Sequence, residues 1–194
     1  MFMRGIILAG GKSSRFGGDK ALALIDGIPM IQHAARLLKK LQLDLCVISH
    51  EARDYSFLDC RIENDLIPHF GPLGGLYTAF SIFEKESLMI LTCDMPLVTC
   101  EMVSGLSRAH DPTNEITVYQ KGDGTPEPFP GIYEPCLKTA VRDCLDVNQL
   151  SMRQFIGRIE RKKLLPLLFD ADILMNINFK NDFQYLLQKN TGRT

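Results

Sequence analysis

Strand-like and helix-like segments alternate along most of this 194-residue chain, and that order limits its possible folds more than any other feature. Gly5-Ile6-Ile7-Leu8-Ala9 is a short apolar run that leads into glycine, as expected of a strand covered on both faces. Asp26-Gly27 marks a turn, after which Pro29 can open a helix with Ile31, Ala34, Ala35, Leu38 and Leu41 at helical spacing. Leu43 to Ile48 reads as a second buried strand and Cys60 to Glu63 as a brief third. Phe70-Gly71-Pro72-Leu73-Gly74-Gly75 reads as a loop by its glycine and proline content, ahead of a helix that gathers Leu73, Leu76, Tyr77, Phe80 and Phe83 on one face. Leu88 to Thr92 is another buried strand, ended by Asp94-Met95-Pro96. Residues 101–109 read as helix and 116–120 as strand. Gly122 to Pro128 is a turn-rich excursion before Phe129 to Tyr133, and the remainder is mostly helical with a strand candidate at Leu164 to Phe169.

Such alternation predicts an α/β fold with a mostly parallel sheet between two helical layers, in one domain spanning 1–194. In sheets of this kind ligands bind beyond the carboxyl ends of the strands. The unusual residues of this chain fall there: Gly10 to Lys20 after the first strand, Asn64-Asp65 after the third, and Asp94 after the Leu88 strand.

Composition removes several classes of function. Lysine and arginine number 22 against 23 aspartate and glutamate, a formal net charge of -1. That balance gives no general attraction to nucleic acid or an anionic membrane, so any phosphate binding must be local. None of the six cysteines forms a C-x-x-C pair, and the histidines at 33, 50, 69 and 110 are scattered. Cysteines within apolar runs, such as Leu45-Cys46-Val47-Ile48, read as small buried hydrophobes, kept reduced. Met1-Phe2-Met3-Arg4 runs directly into a strand-like segment, without a signal peptide's apolar region or cleavage site. The expected location is the cytoplasm.

The chemistry concentrates in Gly10 to Lys20, where eleven residues include four glycines, two lysines and one arginine. Gly11-Lys12-Ser13 would complete a Walker A loop if position 6 were glycine, but that residue is Ile6. A dinucleotide fingerprint fails as well, because Lys12 stands where its second glycine is needed. What remains is a loop whose glycines let backbone N–H groups approach a ligand, with Arg15 to grip phosphate oxygens and Lys12 and Lys20 as point charges. A polyphosphate needs all three features. A solvated surface loop is the competing reading. Asp94 ends an apolar strand and offers a hard oxygen ligand suited to Mg²⁺, or else a turn or helix cap before Met95-Pro96.

Leu8-Ala9-Gly10-Gly11-Lys12-Ser13-Ser14-Arg15-Phe16-Gly17-Gly18-Asp19-Lys20 resembles the signature L-A-G-G-x-S-x-R-M-G-x-x-K of nucleotidyltransferases with a GT-A-like, Rossmann-like fold. Within that superfamily the chain resembles the molybdenum cofactor guanylyltransferases, the MobA family. Asp65-x-x-Pro68-x-x-Gly71-Pro72-Leu73-Gly74-Gly75, Cys93-Asp94-Met95-Pro96 and Asn176-Ile177-Asn178 resemble further elements of it, and Pro126 to Phe129 is similar to a segment that faces the pterin. The resemblance spans Gly5 to about Leu187. It implies transfer of GMP from GTP to molybdenum-loaded molybdopterin, and leaves room for transient contacts with cofactor-insertion proteins. Catalysis would fall to Arg15, Lys20 and Asp94, with Mg²⁺ on Asp94. The nucleotide would meet Leu8, Ala9, Gly10, Gly11, Lys20, Ser49, Asp65 and Asp94, and the pterin Asn176 and Asn178. Phe16 replaces the usual methionine, Ser49 stands where many relatives carry asparagine, and Phe179-Lys180-Asn181 replaces the usual Thr-Pro-Glu. The alternatives are transfer to another phosphorylated acceptor, from CTP to the same cofactor or to a sugar or polyol phosphate, and a non-catalytic nucleotide-binding protein.

Overall fold

The structure, a computed structural model, describes residues 2–10, 19–50, 54–177 and 181–182. A seven-stranded sheet runs through the molecule in the order β5-β4-β1-β6-β8-β7-β9. Its strands are β1 (Met3–Ala9), β4 (Asp44–Ser49), β5 (Arg61–Asn64), β6 (Ser87–Thr92), β7 (Ile116–Gln120), β8 (Pro126–Tyr133) and β9 (Lys162–Pro166). Two short strands, β2 (Leu24–Ile25) and β3 (Ile28–Pro29), form a separate hairpin whose turn residues Asp26 and Gly27 both have positive φ. Within the large sheet β8 alone is antiparallel to its neighbours, so the mostly parallel arrangement is observed.

Because side chains alternate across a strand, the apolar run of β1 serves both faces. Ile7 and Ala9 pack with α1 (Met30–Lys40) and α3 (Cys100–Ala109). Ile6 and Leu8 pack with α2 (Gly71–Ile82), α4 (Lys138–Asp146) and α5 (Met152–Arg158) on the other side. The three-layer arrangement follows from these two cores.

Three expected boundaries move, the simplest being the strand expected at Leu164 to Phe169, which lies at Lys162–Pro166. The segment Gly71-Pro72-Leu73-Gly74-Gly75, expected as a loop, is the first turn of α2. Proline is at home there, since the N–H it lacks would have no partner in the helix. Gly74 and Gly75 allow close packing: a Cβ on Gly74 would lie 2.6 Å from the Ile67 carbonyl oxygen, and one on Gly75 2.9 Å from Leu8 Cδ2. Strand β8 likewise begins at Pro126, inside the expected excursion. Proline is normally excluded from inner strands because it cannot donate to the ladder. Here the pairing with β6 covers only Gly131 to Tyr133, while Pro126 and Glu127 pair with β7 alone. Beyond Ile90 the strands β6 and β8 part, and a cleft opens between them.

Candidate active site

Parallel register brings the expected site residues into one row. Ala9 aligns with Ser49, Ser49 with Asn64, and Leu8 with Thr92. Gly10, His50, Asp65 and Cys93-Asp94 therefore emerge side by side at the carboxyl edge. Two backbone bonds carry the ladder one step past the strands, from Asp65 N–H to the Ser49 carbonyl (2.8 Å) and from Cys93 N–H to the Leu8 carbonyl (3.3 Å).

Asp94 is the centre of this edge. Its Oδ2 accepts from Lys20 Nζ at 2.9 Å, and the two side chains are 20% and 16% exposed. Its Oδ1 is buried and has no hydrogen-bond partner among the described residues. The helix cap weighed for Asp94 belongs elsewhere, since Thr99 caps α3 by accepting from the Met102 N–H. Lys20 is aimed by a short 3-10 turn, Lys20–Leu22, whose cap Asp19 accepts from Ala21 N–H. The Asp94 carbonyl accepts from Ile177 N–H at 2.8 Å, which docks the segment bearing Asn176 beside it. Burial, reinforced by the adjacent Asp94 carboxylate, pushes the Cys93 thiol up to about 12. Cys93 is thus a neutral packing residue at neutral pH.

Two clefts meet here. The first, about 330 Å³, is walled by Leu8, Gly10, Asp65 and Gly75 on one side and by Thr92 and Asp94 on the other. The second, about 310 Å³, lies where β6 and β8 part and is walled by Glu127, Phe129, Arg153 and Asn176. Pro72, Thr92 and Asp94 belong to both. Each volume suits a small organic ligand.

Asp65 has a structural task as well. Its Oδ1 accepts from Thr78 Oγ1 (2.6 Å) and from Ile67 N–H (3.1 Å), and the same Thr78 hydroxyl accepts from Leu66 N–H (3.0 Å), fixing the turn against α2. Ser49, expected at the nucleotide, is placed differently. It is fully buried with its hydroxyl 3.5 Å from the Ala9 carbonyl, and it is absent from the cavity wall. Strand alternation turns it and the Ala9 side chain toward the α1 layer, opposite Ile48 and Leu8. Gly11, Arg15 and Asn178 lie outside the described residues.

Sequence reasoning missed His50, His69 and Arg153, whereas Glu127 belongs to the Pro126 to Phe129 segment expected to face the pterin. His50 and His69 both line the first cleft, with ring centroids 4.3 Å apart. The carboxyl-edge rule, applied to the residue after β4, could have found His50. Its contact with His69 depends on tertiary register and had no local signal. Glu127, only 7% exposed at its side chain, accepts from Lys121 Nζ (2.6 Å) and Arg153 Nη2 (2.8 Å) at the rim of the second cleft. Among the described residues no group of three His, Cys, Asp or Glu side chains is placed to hold a metal. No helix of the described residues is long and apolar enough to cross a membrane.

Residues 5–163 match the family model of the MobA-like NTP transferase domain. A Flavobacterium johnsoniae protein named a probable molybdenum cofactor guanylyltransferase is 32% identical over 158 residues, covering 81% of this chain and 82% of that one. A Bacillus licheniformis protein of the same name is 31% identical over 191 residues, covering 92% and 93%. The crystal structure of molybdopterin-guanine dinucleotide biosynthesis protein A from Archaeoglobus fulgidus superposes with a TM-score of 0.78 over 97% of this chain and 99% of that one. At 18% identity that likeness speaks to the fold alone.

Proposed function

The chain belongs to the MobA-like NTP transferase family, and on that premise we propose that it transfers GMP from GTP to the terminal phosphate of molybdenum-loaded molybdopterin, releasing pyrophosphate. The observation that carries this reading is the meeting of two ligand-sized clefts at Asp94. A transferase must hold donor and acceptor at once with the reacting atoms between them. The first cleft takes the nucleotide, with backbone groups of Leu8, Ala9 and Gly10 toward guanine. The second takes the pterin, its phosphate drawn to the seam between them.

A divalent cation fits the seam. Asp94 presents a buried carboxylate oxygen with no donor against it among the described residues, and Mg²⁺ needs few protein carboxylates when phosphates and water supply the rest. When bound, such an ion offsets charge on the phosphoryl oxygens. The chain's own residues do the remainder. Lys20, resting on Asp94, reaches the triphosphate and neutralises charge that builds as the α-phosphorus is attacked. Arg15, from the glycine-rich loop, is assigned to the same phosphates. An oxygen of the acceptor phosphate forms the new bond to the α-phosphorus, and the bond from that phosphorus to the bridging oxygen breaks. The electron pair leaves with pyrophosphate. The attacking oxygen is already anionic, so no general base is required. Arg153 and Asn176 stand where they can hold the acceptor, and the Glu127 carboxylate restrains Arg153.

A panel of GTP, ATP, CTP and UTP, each with Mg²⁺ and scored for pyrophosphate release, tests the assignment. Release is expected with GTP and only when the molybdenum-loaded pterin is present. Equal or faster release with CTP, or with UTP and a sugar phosphate, would refute it.

A further inference from the structure

Among the described residues four buried side-chain polar atoms lack a hydrogen-bond partner: His50 Nδ1, Ser87 Oγ, Thr92 Oγ1 and Asp94 Oδ1. Three of the four residues wall the first cleft, and only Ser87 lies away from it, at the amino end of β6. Buried polar groups are nearly always paired, so unmet capacity gathered at one cavity points to a ligand that completes it. Asp94 and Thr92 stand at the seam with the second cleft. His50 belongs to the first cleft alone, one residue past β4 and against Gly10, where an added Cβ would come within 3.7 Å of His50 Cβ.

Among the described residues this imidazole has no hydrogen-bond partner at Nδ1. His69 packs edge-on against it at an interplanar angle of 81°. His69 itself adopts φ +76°, a left-handed backbone that residues other than glycine rarely take and that tends to mark functional positions. Because Ser49 turns inward to the Ala9 carbonyl, His50 is the polar side chain that the end of β4 offers to the cavity. Lys20 and Asp94 mark the phosphate end of the nucleotide. The wall formed by Leu8, Ile48 and His50 is mostly apolar, as a nucleoside requires.

We propose that His50 is a nucleoside-binding residue whose Nδ1 hydrogen-bonds the base or ribose, with His69 as the packing partner that fixes the ring. This rests on the reading of the first cleft as the nucleotide site. The test is equilibrium binding of GTP, ATP and CTP, without acceptor, to the full chain as wild type, His50→Leu and His50→Asn. Leucine keeps bulk and removes the polar atom, whereas asparagine restores a polar atom close to the place of Nδ1. His50→Leu is expected to weaken the preferred nucleotide about tenfold, the scale of one hydrogen bond, and His50→Asn to recover most of that affinity. His50→Ala replaces the leucine variant should that chain not fold. Equal affinity in wild type and His50→Leu, or a loss in His50→Asn as large as in His50→Leu, overturns the proposal. A wild type that prefers CTP or ATP overturns the guanylyl assignment instead, and the His50 comparison is then decided on that nucleotide. A wild type that binds no nucleotide sinks both.

Discussion

Asp94 carries two demands on one carboxylate. Oδ2 is committed to Lys20 at 2.9 Å, while Oδ1 is sheltered from water and unpaired among the described residues. A carboxylate left half-satisfied in a partly buried place is costly unless function uses it. Replacing it with asparagine keeps the shape, removes the charge that pairs with Lys20 and weakens any hold on a cation. Asp94→Asn is therefore expected to lower turnover at least about a hundredfold, the scale seen when one electrostatic contributor to a transition state is lost. The far-UV circular dichroism should stay as in the wild type. Turnover near the wild-type rate in that variant would remove Asp94 from the chemistry.

At the level of elements, α2 and the turn before it shape the first cleft by close approach. The two glycines make different contacts, and so their alanine variants should differ. The Cβ of Gly74→Ala meets the Ile67 backbone carbonyl at 2.6 Å, in a turn already tied down through Asp65 and Thr78. The Cβ of Gly75→Ala meets the tip of Leu8 at 2.9 Å, and a side chain can yield. Gly74→Ala is expected to cost about 1–3 kcal/mol of unfolding free energy, and Gly75→Ala less. Chemical denaturation of the two variants checks the order; an equal or reversed order would contradict this packing. These elements also show what could be read from sequence. Apolar runs marked β1, β4 and β6 because strands buried on both faces need side chains on both. Helix α2 began earlier than its glycines suggested, because Gly74 and Gly75 serve close packing there, and only Gly71, at φ +62°, serves a turn. Strand β8 hid behind its prolines, which are tolerated because Pro126 pairs with β7 alone and Pro128 and Pro130 lie where the register with β7 shifts. His50 and His69 lie nineteen positions apart in sequence, and only the folded register sets their rings 4.3 Å from each other.

At the scale of the whole molecule, the parting of β6 from β8 is what gives the fold a second cleft. The first cleft lies over the ends of β1, β4 and β6, and the second opens on the far side of β6, so the two share Thr92 and Asp94 at the end of that strand and Pro72 at the start of α2. Asp94 could be anticipated from its place after an apolar strand. On the acceptor side Asn176 and the Pro126 to Phe129 segment were expected from the resemblance, whereas Arg153 was not, because it comes from a separate stretch and meets them only in the folded chain. If donor and acceptor occupy the two clefts as proposed, the α-phosphorus meets the acceptor at Asp94 and pyrophosphate is the group that departs. Isotope placement tests that claim directly. GTP labelled at the α-phosphate, incubated with the chain and the molybdenum-loaded pterin, should transfer its label to the pterin product, while label at the γ-phosphate should appear in pyrophosphate. Label from the γ-position on the pterin would mean phosphoryl transfer and would contradict the account.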